Sequence, residues 1–153
     1  MELIGKQHIP TSKEKVWKAL NNLDVLKACI PGCETIEWLG ETEINLCVVI
    51  KLGFLKIRIG GTIHLSNMVE EQSYTMVGKG KGKFAGLANG RADVKLLEDP
   101  SGTGTILSYK VTAIVGGKLE KLGSKIVTGS VQKLSDGFFE IFAEEVIKAY
   151  GRE

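Results

Sequence analysis

The sequence predicts an α+β fold in which a curved seven-stranded antiparallel sheet wraps around a long C-terminal helix, in the order β-αα-β6-α. Three observations predict it. A hydrophobic period of two runs through residues 33–114, a period of 3.6 replaces it after Gly116-Gly117, and two short helical signals follow the first strand. A chain of 153 residues fits one domain, 1–153, with a sizeable core.

Residues 2–9 form the first strand, stopped by Pro10. Thr11 and Glu14 are spaced as a capping box for a helix over 12–20, with Val16, Trp17 and Leu20 on its apolar face. Asn21-Asn22 ends it, and a second helix over 22–28 is halted by Pro31-Gly32. In the sheet, Ile44, Leu46, Val48 and Ile50 alternate with Glu43, Asn45, Cys47 and Val49. Leu55, Ile57, Ile59, Ile63 and Leu65 alternate with Lys56, Arg58, Gly60, Thr62 and His64, and Leu107, Tyr109, Val111 and Ala113 alternate with more polar neighbours. Each run is a half-buried strand, the mark of an antiparallel sheet with one dry face. From about residue 118 to 149 the stripe Leu119, Leu122, Ile126, Val127, Leu134, Phe138, Ile141 and Phe142 predicts one helix of roughly 45–50 Å. That helix is the cover the dry face needs.

Bulk properties narrow the function. A net charge of +2 and a pI near 8.4 are too mild to indicate nucleic acid. No signal peptide opens the chain, and no apolar run approaches the roughly 18–20 residues that cross a bilayer. Three cysteines (Cys29, Cys33, Cys47) disfavour a disulfide framework and lack the spacing of a zinc site, so no metal is expected and a cytoplasmic location is. The string Gly78-Lys79-Gly80-Lys81-Gly82-Lys83 lacks the Ser/Thr and following helix of a phosphate loop. His8 and His64 fall on the polar face, neither with a carboxylate at a spacing that suggests a dyad. The inward polar candidates are Gln7, Tyr74, Tyr109 and Ser130, which suit hydrogen bonds to a ligand better than proton transfer.

Several segments resemble those of a known family: Val16-Trp17-Lys18-Ala19-Leu20-Asn21, Leu26 through Ile30-Pro31-Gly32-Cys33-Glu34, Gly60-Gly61-Thr62-Ile63, Gly78 to Gly90, and Val115-Gly116-Gly117-Lys118-Leu119. They are similar to the G-subunit family of carbon monoxide dehydrogenase, within the START/Bet v 1-like (SRPBCC) helix-grip superfamily. The resemblance spans nearly the whole chain. It implies an accessory to an aerobic molybdenum-containing carbon monoxide dehydrogenase or related hydroxylase, not a redox component, with no cofactor of its own. It also implies an apolar quinone- or lipid-like ligand, help in recruiting the enzyme to the inner face of the membrane, or both. Some members continue into a C-terminal extension, whereas this chain stops at Glu153, so transient membrane contact or ligand delivery is the expectation here.

Under that fold the expected cavity lining is Leu46, Ile57, Ile59, Tyr74, Met76, Gly78, Gly90, Ala92, Tyr109, Val111, Leu119, Leu122, Gly123, Ile126, Ser130 and Leu134. Gly123, Ser130 and Gly137 recur every seven residues and lie within about 40° of one another on the helix. Two readings stand: a notch that leaves room for a ligand, or close packing of helix on sheet. Phe54, Phe84 and Leu87 sit at hairpin tips where a cavity mouth is expected. Lys56, Arg58, Lys79, Lys81, Lys83, Arg91, Lys95 and Lys110 point outward, and Lys79, Lys81 and Lys83 are the expected partner-docking residues, with an ordinary solvated face as the alternative. No catalytic residue is expected. A solid-cored docking protein and a cyclase- or dehydratase-like enzyme are the alternative readings.

Overall fold

The computed structural model describes residues 1–52, 54–82 and 86–152. The elements are β1 (Glu2–Ile9), α1 (Lys13–Leu20), α2 (Leu23–Cys29), β2 (Cys33–Trp38), β3 (Glu43–Leu52), β4 (Leu55–Val69), β5 (Ser73–Gly82), β6 (Gly86–Glu98), β7 (Thr105–Val115), α3 (Gly117–Lys121) and α4 (Ser124–Tyr150). All strand pairings are antiparallel, in the order β1-β7-β6-β5-β4-β3-β2. The expected α+β architecture of sheet around helix is therefore the observed one.

Two local expectations are corrected. Ser12, not Thr11, caps α1, its hydroxyl accepting from Lys15 N at 3.3 Å. Thr11 is instead buried, and its hydroxyl lies 3.0 Å from the carbonyls of both Gly151 and Arg152, tying the start of α1 to the end of α4. Glu14 turns to Lys18, one helical turn on, at 3.0 Å. The second correction concerns the long helix, which is broken. Gly123 takes φ +88°, a left-handed conformation open mainly to glycine, so the helical run divides into five-residue α3 and 27-residue α4.

The main core lies where α1, α2 and the C-terminal half of α4 meet the sheet. Phe142 and Val146 are fully buried there with Val16, Ala19 and Cys29. Phe138, Phe139 and Phe142 form an aromatic ladder along α4, and Tyr109 stacks on Phe139 with ring centroids 5.3 Å apart. Gly5 is required on β1, because a side chain there would run into the Tyr109 hydroxyl. Trp17 meets Tyr74 edge-on at 5.6 Å. Toward the other end of α4 the packing thins, and that difference creates the site.

Candidate ligand cavity

Between the sheet and the N-terminal half of α4 lies an apolar space in two adjoining lobes. The outer lobe, about 370 Å³, is bounded by Ile50, Ile59, Gly61, Gly78, Gly80, Ala88, Gly90, Ala113, Val115, Leu119 and Val127. The inner lobe, about 450 Å³, is bounded by Leu20, Leu26, Ile30, Pro31, Ile36, Ile44, Leu65, Tyr74, Tyr109, Ser135, Phe138 and Phe139. Leu46, Val48, Ile50, Ile63, Met76, Ala92, Val111, Val131 and Leu134 line both, so the lobes share their walls. These volumes are within the range of small-molecule sites.

The sheet supplies the room. Inward positions on β5, β6 and β7 carry Gly78, Gly80, Ala88, Gly90, Ala92 and Ala113, where a packed core would carry branched side chains. A methyl added at Gly78 would meet nothing closer than 3.9 Å, and one at Gly90 nothing closer than 3.5 Å. Gly61 differs, since a side chain there would strike the Lys79 carbonyl; it permits close strand approach.

Eleven of the sixteen expected lining residues face this space: Leu46, Ile59, Tyr74, Met76, Gly78, Gly90, Ala92, Tyr109, Val111, Leu119 and Leu134. The other five do not. Ile57 is buried in a small separate cluster with Leu119, against which Leu122 packs. Gly123 is the exposed break between α3 and α4, and Ile126 beyond it is 44% exposed, because the break rotates the start of α4 away from the regular stripe. Ser130 is half-buried outside both linings. The expected helix notch is thus absent: Gly137 faces Pro31, whose Cγ is 3.7 Å from where a Cβ would stand. Alternation within β3 held the missed signal, since Val48 and Ile50 share the inward face with Leu46.

Inside the inner lobe the polar side chains are Tyr74, Tyr109 and Ser135. Burial raises the pKa of the Tyr74 hydroxyl, so it stays a neutral donor. The Cys29 thiol beneath α2 is pushed up to about 12 by burial and is inert.

At the cavity's outer end Phe54 is 88% and Leu87 60% exposed, joined by Ile114 at 77%. Phe54 therefore stands out from the core. Phe84 and Lys83 lie outside the described residues. Lys79 and Lys81 are exposed on β5 and make no ion pair among the described residues. Elsewhere the outer face is less basic than its sequence suggests: Arg58 pairs with Glu34 at 2.6 Å, Arg91 with Asp93 at 3.1 Å and Lys110 with Glu2 at 3.7 Å.

The structure also gives both histidines carboxylate partners that sequence spacing hides. His8 Nε2 is 3.0 Å from Asp99, and His64 Nε2 is 3.4 Å from Glu43, its cross-strand partner. Both pairs are on the outside of the sheet, away from the cavity lining. Among the described residues no group of three or more potential metal ligands occurs, and no helix is long and apolar enough to cross a membrane.

The family model of the carbon monoxide dehydrogenase G subunit (CoxG) matches residues 5–147. The chain belongs to that family. No curated protein matches it. Among solved structures, a conserved protein from Geobacillus kaustophilus is similar with a TM-score of 0.90 at 24% identity, over 97% of each chain. A START superfamily protein from Mycobacterium smegmatis gives 0.71 at 9% identity, covering 96% of this chain and 97% of that one. The Zhui aromatase/cyclase from Streptomyces sp. R1128 gives 0.63 at 12%, covering 97% and 94%. At these identities the structures show the shared helix-grip fold alone.

Proposed function

We propose that this CoxG family member is a non-catalytic accessory protein that holds an apolar, quinone- or lipid-like molecule between sheet and helix, on behalf of a molybdenum hydroxylase of the carbon monoxide dehydrogenase kind. The two-lobed apolar cavity carries the reading. The space is open to solvent on one side, so a hydrocarbon occupant would take its apolar walls out of water, which is favourable by about 25 cal/mol per Å² covered. Tyr74, Tyr109 and Ser135 suit a molecule with a carbonyl or hydroxyl at one end and a hydrocarbon body. Among the described residues neither lobe is lined by a carboxylate or imidazole, which favours holding over catalysis.

The exposed Phe54, Leu87 and Ile114 favour a second element, contact of the outer end with an anionic membrane. Lys51, Lys56, Lys79, Lys81, Lys121 and Lys125 are exposed at that end, and each near-surface lysine contributes about 1 kcal/mol there.

Titration with a short-chain menaquinone tests the ligand reading. Trp17 touches Tyr74, which lines the inner lobe, so saturable quenching of tryptophan fluorescence is expected. Quenching that rises linearly, without saturation, would count against it.

A further inference from the structure

The two lobes differ in what their walls can bond. On β5, β6 and β7 the side chains of Tyr74, Val94 and Tyr109 stand side by side in the inner lobe. Six residues further along the same strands, about 20 Å away, the row is Gly80, Ala88 and Val115, which border the outer lobe. The polar residues that border the outer lobe are Thr62, Lys79, Asn89 and Arg91, and each stands at an outward position beside an inward glycine or alanine. Alternation sends their side chains to the other face of the sheet, where the Arg91 guanidinium meets Asp93 at 3.1 Å. The outer wall, among the described residues, thus offers a ligand neither a charge nor a hydroxyl.

The inner lobe has hydroxyls and, among the described residues, no charged side chain. Tyr109 lays its hydroxyl over Gly5 of β1 and its ring against Phe139. That leaves Tyr74 on the sheet and Ser135 on α4. Tyr74 is only 7% exposed, and neither side chain hydrogen-bonds another group of the chain among the described residues. A hydrocarbon end driven into this lobe would cover both hydroxyls and leave them unbonded, which is costly. A neutral hydroxyl or carbonyl would bond them. A carboxylate or phosphate would find no cation there, so its charge would be buried unpaired.

We propose that the cavity selects uncharged amphiphiles and takes them polar end first, with Tyr74 as the residue that sets this specificity. The polar end bonds Tyr74 and Ser135, and the hydrocarbon body runs over the glycine and alanine positions toward the outer opening. This rests on the ligand reading above, and narrows the occupant to molecules without an ionised head, so that fatty acids are excluded.

Displacement of the uncharged fluorophore N-phenyl-1-naphthylamine from the delipidated protein compares 1-dodecanol with dodecanoate, matched in chain length, at neutral pH. The alcohol should bind at least tenfold more tightly. Tyr74→Phe should weaken the alcohol about three- to tenfold, the loss of one neutral hydrogen bond, and change the acid less than twofold. That variant should keep its Tm within about 2 °C, since the hydroxyl it lacks bonds nothing in the chain. Orientation is read separately in a Trp38→Phe chain, where Trp17, which meets the Tyr74 ring at 5.6 Å, is the remaining tryptophan. A dodecanol brominated beside its hydroxyl should quench Trp17 more strongly than one brominated at the far end of its chain, a result that needs no change at Tyr74. No displacement by the alcohol, equal affinity for alcohol and acid, equal losses for both in a folded Tyr74→Phe variant, or stronger quenching by the far-end bromine overturns the selection while leaving the cavity intact. Failure of the fluorophore itself to bind saturably overturns the ligand reading, and the selection with it.

Discussion

Ala92→Phe separates a container from a filled core by the sign of its effect. Ala92 lines both lobes and pairs across the sheet with Met76 and Val111, which also line both. In a filled interior a phenyl ring in place of this methyl would overpack and cost about 1–3 kcal/mol. Projected into open apolar space, the same ring is buried without displacing anything and contributes about 2 kcal/mol. For a domain of this length that raises Tm by about 4–8 °C in the ligand-free protein. The ring also takes the position of the occupant, so affinity for an apolar probe should fall at least tenfold, or about 1.4 kcal/mol. Thermal melts and fluorescence titration of delipidated protein read both effects. A Tm that drops by several degrees with probe affinity unchanged would refute the reasoning, because it would mean the ring found no space and blocked no site.

Four other expectations follow from particular contacts. Gly32→Ala should lower stability by about 1–3 kcal/mol in a denaturant melt, since Gly32 has φ +75° and a side chain would strike the Val49 carbonyl. With the native fold intact, a thiol reagent should modify half-exposed Cys33 and Cys47 and spare fully buried Cys29 until the protein unfolds. The Asp93 carboxyl is held below its ordinary pKa by Arg91 first and by the Thr75 hydroxyl at 2.8 Å second, so its stabilisation is complete above a pH of about 4 and is lost as pH falls through the lower folded value; Asp93→Asn should therefore shrink the difference between melts at neutral and strongly acid pH. Lys79→Glu with Lys81→Glu should abolish sedimentation with phosphatidylglycerol vesicles while leaving Tm within about 1–2 °C.

How far the sequence went differs from element to element. Alternation located the sheet and its inward faces because a period of two leaves little freedom, and it therefore found Leu46, Ile59, Met76, Ala92 and Val111. The helix side was harder. A stripe with Gly123 in it looks the same whether the glycine is helical or breaks the helix, and only its φ of +88° shows the latter. Treating Gly123 as helical put the notch on the wrong wall and placed Ile126 inside. Thr11 and Ser12 are adjacent and equally suited to capping, and the choice was settled by the end of α4, some 140 residues away, which claims the Thr11 hydroxyl. The pairing of His8 with Asp99 also depends on long-range approach, here across 91 residues of chain. The separate cluster around Leu119 had no signal of its own, since Ile57 and Leu119 read simply as inward residues of a strand and a helix.

Native mass spectrometry of the delipidated protein with a short-chain menaquinone bears most directly on the claim that this cavity holds an apolar molecule. A saturable one-to-one adduct, at least tenfold weaker with Ala92→Phe, is the result the account expects. The absence of any adduct, or one equally strong with the cavity filled by that ring, would contradict it.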